Sequence, residues 1–143
     1  MFIKLTNGVP EKYTIGQLRK NNPNVSFPKD IPNNVLADYD VYPLYPAPVP
    51  NYDDLTHTCK EVTPLQNEKG DWVETYIVEQ REQSDAEERV RKFRNELLTI
   101  TDWTQIADAP VNQLTWATYR QALRDLPSQI GFPFNVTFPT KPE

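Results

Sequence analysis

Fourteen prolines against four glycines limit what this 143-residue chain can fold into more than any other feature, since average usage would give about 7 prolines and 10 glycines at this length. Seven of the prolines fall between Pro23 and Pro50, at 23, 28, 32, 43, 46, 48 and 50. Each removes a backbone donor and pushes the residue before it toward extended or polyproline geometry, so no regular central strand is expected here. The stretch nevertheless carries Val25, Phe27, Ile31, Val35, Leu36, Tyr39, Val41, Tyr42, Leu44 and Tyr45, apolar surface that has to be covered. Irregular chain packed along something, within the molecule or on a partner, is the expectation.

Regular structure is legible on either side. Phe2-Ile3-Lys4-Leu5-Thr6, then Asn7-Gly8, then Tyr13-Thr14-Ile15 reads as a hairpin, because an Asn-Gly pair supplies the turn that two β-type runs need. Ile15 to Asn21 has room for a helical turn or two before Asn22-Pro23 stops it. Thr56 to Val62 and Trp72 to Glu79, rich in β-branched and aromatic residues and separated by Asn67-Glu68-Lys69-Gly70-Asp71, predict a central antiparallel pair. Trp72, Glu74, Tyr76 and Val78 would share one face and Val73, Thr75, Ile77 and Glu79 the other, so both faces are expected to be partly covered.

At Ser84 the period changes. Ser84-Asp85-Ala86-Glu87 has the form of a capping box, and Ala86, Val90, Phe93, Leu97 and Ile100 follow at alternating spacings of four and three, which predicts a helix over about 84–101. A second helix is expected from an Asn112 cap through Leu114, Trp116, Ala117, Tyr119, Ala122 and Leu123 to Leu126, ended by Pro127. Phe132, Phe134, Val136 and Phe138 then alternate between Pro133 and Pro139, the mark of an extended arm. The expected fold is therefore α+β. Residues 1–80 form a proline-rich, irregular region with short strands and the central pair, and residues 84–143 a helical hairpin with an extended C-terminal arm.

Charge and composition exclude several functions. With a formal net charge of -5 and a pI near 4.9, and no block of Lys or Arg, the chain would repel a phosphate backbone, so nucleic acid is not an expected partner. No apolar run approaches the roughly 20 residues of a membrane helix, and Met1-Phe2-Ile3-Lys4 does not open a signal peptide, so no membrane is expected either. The single Cys59 and single His57 cannot assemble a Cys/His metal set, and no cofactor is expected. His57, Cys59 and Asp53/Asp54 are the one cluster to weigh as nucleophile, base and orienter. A strand holding His57 and Cys59 on one face lacks the sharp turn or helix terminus that activates a thiol, so no enzyme is expected.

The motifs of the C-terminal third are more particular. RNELL at Arg94 to Leu98, TDWTQ at Thr101 to Gln105, the run from Trp116 to Pro133 (WATYRQALRDLPSQIGFP), and a proline-bounded close at Pro142 resemble the bacteriophage tail assembly chaperone-like domain over about residues 92–142. The layout before them, a proline-studded half, a strand pair ending in GDWVETYIVEQ and a charged helix, also resembles proteins that carry this domain. The resemblance implies a phage protein of the tail or tail-fibre assembly apparatus that acts by binding tail or fibre subunits in the host cytoplasm. The alternative is a structural component of the virion tail, baseplate or fibre attachment.

The family supplies no binding site, so contact residues come from physical reasoning. Phe27, Tyr39, Tyr42, Tyr45 and Tyr52 lie in chain that does not easily build its own sheet, and binding stands beside packing for each. Trp103 is either an anchor for a partner or a filler of the hairpin core, with Asp102 capping the turn after the first helix. Arg120 and Arg124 either face a partner or pair with Glu96 or Asp102 across the hairpin. Phe132 and Phe134 belong to the arm, which packs on the hairpin or adds to a partner's sheet edge. The spacing from Ala86 to Ile100 suits an internal hairpin against Trp116, Tyr119 and Leu123 or a three-stranded seam between copies, which leaves a homo-oligomer open.

Overall fold

In the computed structural model, which describes residues 1–143, Asn7 and Gly8 both take positive φ, 53° and 81°, the left-handed pair that a two-residue hairpin turn requires. They join β1 (Phe2–Thr6) to β2 (Val9–Tyr13). The second strand lies earlier than the sequence predicts, because Thr14 is taken by a capping box. Its hydroxyl accepts from Gln17 N at 3.2 Å, while the Gln17 amide oxygen accepts from Thr14 N at 2.8 Å. That box starts α1 (Ile15–Asn21), as the short run before Pro23 predicts.

The proline-rich stretch is more regular than expected. Pro32 leads into α2 (Asn33–Ala37), and Asp40 at φ 58° turns the chain into β3 (Val41–Tyr45), a left-handed position that a short Asp side chain tolerates. With β4 (His57–Gln66) and β5 (Trp72–Gln80), the five strands form one sheet in the order β2-β1-β3-β5-β4. A central strand containing a proline overturns the expectation for this segment, and the register gives the reason. Leu5 N donates to Asp40 O and Leu44 N to Met1 O, each at 2.9 Å, so the intervening pair Phe2↔Pro43 is not hydrogen-bonded in the ladder with β1. On the other side β3 meets β5 in parallel only from Leu44↔Trp72. The donor that Pro43 lacks has no partner waiting on either side.

The sheet is mixed, antiparallel for β1 with β2 and β3, parallel for β3 with β5. The two strands predicted around residues 56–79 are neighbours in it, joined by a turn in which Asn67 Oδ1 accepts from Lys69 N at 2.9 Å and Asp71 N at 3.0 Å. Lys12 on β2 and Glu61 on β4 form an ion pair at 2.6 Å, although those strands stand at opposite ends of the order. A flat sheet would separate them by about 19 Å at about 4.8 Å per strand, so the sheet is rolled.

The chain divides into two compact units, Met1–Asn51 with Cys59–Val78 and Tyr52–Thr58 with Glu79–Glu143. The first has a core of Tyr13, Leu18, Leu36 and Val41, with Phe2, Ile15, Phe27, Ile31 and Tyr39 packed against it. The second is helical. Its α3 (Gln83–Ile100) begins one residue before Ser84, with Glu82 at the N-cap and no side-chain cap bond, so the predicted capping box does not form. The Glu87 carboxylate instead accepts from Gln83 and Arg91, at 3.0 and 2.7 Å. After a 3₁₀ turn at Asp102–Gln105, α4 (Gln113–Asp125) starts from Asn112, whose Oδ1 accepts from Thr115 N at 3.2 Å, and gives way at Leu126-Pro127 as predicted. Trp116, Tyr119, Leu123 and Leu126 form the core of this unit, against Leu97, Leu98, Val111, Val136 and Phe138. No helix of the chain is long and apolar enough to cross a membrane.

Candidate interaction surfaces

The α3–α4 turn is held by side chains bonding backbone. The Thr104 hydroxyl, fully buried, donates to Thr101 O at 2.6 Å, and the Thr101 hydroxyl donates to Leu97 O at 2.7 Å. Arg120 reaches across from α4. Its Nη1 donates to Leu98 O at 2.6 Å and to the Thr101 hydroxyl at 2.8 Å, and its Nη2 to Asp102 Oδ1 at 2.6 Å. Three acceptors set around one planar guanidinium are a match that only arginine makes. Of the carbonyls at the end of α3, Leu98 O thereby accepts from outside the helix as well as from Thr101 at its own C-cap.

This is the intramolecular pairing of Arg120 with Asp102 that spacing allows, and it changes the role of Asp102, whose side chain caps no helix and instead receives Arg120. Arg124 takes neither predicted acid. Its guanidinium donates to Gln121 Oε1 one turn earlier, at 2.8 and 3.1 Å. Trp103 does not fill the hairpin core. It lies on Trp116 with ring centroids 6.3 Å apart and keeps 48% of its surface exposed.

The other candidate residues separate by exposure. Phe27 and Tyr39 pack edge to face at 5.3 Å on the core of the first unit. Tyr42 is half-buried on β3, where it and Tyr45 line a small recess with Trp72. Tyr45 and Tyr52 are 47% and 40% exposed. Phe132 receives the Arg91 guanidinium at 4.9 Å from its ring centre, and Phe134 is half-buried. The arm is extended only in its second half. Residues 129–135 turn, with Gly131 at φ 89° and a cis Phe132–Pro133 bond, and the Gln129 side chain grips Thr137 through its N at 2.8 Å and its O at 2.9 Å. Phe138 then meets Phe93 at 5.4 Å, so the arm packs on its own helices.

Chain entry to α3 is an arginine–carboxylate network. Arg81 donates to Asp54 O at 3.0 Å, Asp54 Oδ1 at 2.9 Å and Asp85 Oδ2 at 3.2 Å, and Arg89 donates to Asp85 at 3.1 Å. Partial burial pushes the Asp85 carboxyl up, but Arg89 and Arg81 together outweigh it and hold the group below the usual carboxylate range. Arg91 and Gln83 lower Glu87 in the same direction. Among the groups weighed for catalysis, Asp53 and His57 share the buried Thr56 hydroxyl, at 2.9 and 2.8 Å. With Asp53 Oδ1 also accepting from Leu55 N at 3.0 Å, this chain orders the turn from which β4 starts.

Two exposed residues at the hairpin end escape sequence reasoning. Leu114, one of the apolar residues along the predicted second helix, is 77% exposed, and Ile106 is 55% exposed. For Leu114 the signal is helical phase, because it lies two residues and about 200° from Trp116, outside the stripe Trp116, Tyr119, Leu123, Leu126. In comparisons with curated proteins and with solved structures nothing matches. Residues 87–143, from the second turn of α3 through the hairpin and the arm, match the family described as phage tail assembly chaperone protein, the family that the motifs between Lys92 and Pro142 resemble.

Proposed function

We propose that this chain is a non-enzymatic bacteriophage tail or tail-fibre assembly chaperone, which binds a tail or fibre subunit in the host cytoplasm and covers its apolar or unpaired-edge surface until assembly. The family match over residues 87–143 carries this reading. It falls on a unit whose hydrogen-bonded turn holds a half-exposed tryptophan outward. Binding the folded subunit alone would stabilise it by mass action, by about 2.7 kcal/mol when the chaperone stands at 100 times its Kd. Tyr45, Tyr52 and Trp103 are the candidate contacts with the freest faces.

The packing of the arm on α3 and α4 favours a self-contained binder over a component whose arm is built into neighbouring subunits. Quantitative mass spectrometry of infected-cell lysate beside gradient-purified virions tests the reading. The chain is expected to be abundant in lysate, bound to a tail or fibre subunit, and missing from particles. A fixed stoichiometric ratio within particles would make it a structural component.

A further inference from the structure

We infer that the recess between α4 and the C-terminal arm is where the client docks, and that its occupant is a short extended segment of the tail subunit carrying uncharged apolar side chains. The inference rests on the chaperone reading and gives it a place and a chemistry.

One face of α4 and the far end of the arm build the recess. Leu114, Thr118 and Ala122 follow at intervals of four, a single row on the helix, and with the buried Tyr119 they line one side. Pro139, Thr140 and Pro142 line the other. All of them lie within residues 87–143, the stretch that matches the family. The recess holds about 450 Å³, roughly three times the ~150 Å³ cavity that takes up a benzene ring, so there is room for two large side chains. Leu114 keeps 77% of its surface exposed and Thr118 is exposed too, so the arm leaves the row on α4 open. The arm itself is pinned. Gln129 holds Thr137, Phe138 packs on Phe93 at 5.4 Å, and the Lys141 ammonium lies 6.0 Å from the Trp116 ring centre. A wall held in place beforehand adds no ordering cost when a ligand binds.

Charge and backbone together select the occupant. No Lys, Arg, His, Asp or Glu lines the recess, and Lys141, although it stands between Thr140 and Pro142, is not among the lining residues. A charged side chain entering here would lose its water and gain no counter-charge, whereas an apolar one gains burial. The second selection is by shape. From Phe138 to Pro142 the arm has no regular structure and its backbone makes no hydrogen bond within the chain. Pro139 and Pro142 offer only carbonyls, while Thr140 and Lys141 offer N–H groups as well. An extended segment laid beside the arm takes these groups as a strand takes a sheet edge, and its side chains then point by turns into the recess and away from it. A helix, whose backbone groups are already bonded to one another, leaves them unmet.

The test selects a library of short linear peptides on the full chain, remakes the enriched peptides and measures their affinity by fluorescence anisotropy. Enriched peptides are expected to carry uncharged apolar side chains at every second position and to bind equally at low and high salt, because no charge pair holds them. N-methylation of the peptide backbone should abolish binding at alternate residues and be tolerated between them. Affinity should fall about tenfold or more in Thr118→Lys, which sets a charge in the recess at an exposed position whose hydroxyl bonds only its own helix. It should fall also in Leu114→Glu, and both variants should unfold thermally as the parent does. Leu65→Glu, which removes an exposed apolar residue of β4, should bind as the parent does. No enrichment, binding that weakens as salt rises, N-methyl groups tolerated at every residue, or affinity untouched by Thr118→Lys and Leu114→Glu would overturn the inference. So would a dimer that Thr118→Lys disperses, since the occupant would then be a second copy. If Thr118→Lys and Leu114→Glu keep a tail subunit soluble as well as the parent chain does, the recess is wrong and the chaperone reading survives. If peptides bind as expected but the chain is stoichiometric in virions, the recess stands and the chaperone reading falls.

Discussion

Arg120 ties α4 to the end of α3 through three donor contacts, to Leu98 O, the Thr101 hydroxyl and Asp102. Arg120→Met should lower stability by about 1–2 kcal/mol, the cost of removing charge-assisted bonds from the Thr101 hydroxyl and from Leu98 O, which keeps Thr101 as its donor, read from urea denaturation. Asp102→Ala should cost less, about 0.5–1 kcal/mol, since that carboxylate is mostly in water. If the two cost the same, the ion pair and not the carbonyl bond carries the effect. Gly131 makes the opposite demand. At φ 89°, with an added Cβ only 3.0 Å from that of Asn135, Gly131→Ala is expected to cost about 1–2 kcal/mol more than an alanine change at a residue with ordinary φ. Gly70→Ala, equally left-handed but with open space around it, should cost less, and the two midpoints measured together check the contact. Of these roles only the Arg120–Asp102 pairing was visible beforehand, through residue type and spacing. The bond to Leu98 O depends on how closely two helices approach, which no local pattern encodes.

Among the elements, those legible in the sequence had a strong local cause. Asn7-Gly8 set a hairpin, Asn112 capped α4, and the apolar stripe of α3 set its length within a residue or so. The failures share a cause too. Ser84 carries a capping signature, yet the helix starts one residue earlier, where Arg81 ties the entering chain to Asp54. Pro43 reads as a strand breaker, yet it sits where the ladder asks for no donor, and register is a property of two strands and not of one. The α3 network also makes a pH prediction. Asp85 and Glu87 titrate lower in the folded chain than in the unfolded one, so their contribution is present above the unfolded carboxylate range and is lost as pH falls below about 4. Thermal unfolding followed by helical ellipticity should therefore drop across that window. Asp85→Asn should flatten the drop, and an unchanged slope in that variant would remove the network as its cause.

The whole chain combines a proline-rich sheet unit with a helical one, and the alternation of strands and helices was readable where the five-stranded order was not. That order depends on β3, which the prolines around it conceal. Lys12 and Glu61 come from the two ends of the order, and both side chains are substantially hydrated, so their pairing is expected to add little to thermal stability. Its removal should appear in association instead. Glu61→Lys sets two cations against each other, and light scattering on heating should begin at a lower temperature although the unfolding midpoint barely moves. The exchanged pair Lys12→Glu with Glu61→Lys should restore the parent behaviour, and failure to restore it would assign the change to lost acidity alone. Strands with bare edges recruit further strands. A sheet that curls its outermost strands toward each other presents those edges bent and partly faced by one another, a poorer template for a further strand than a flat sheet of the same order would offer.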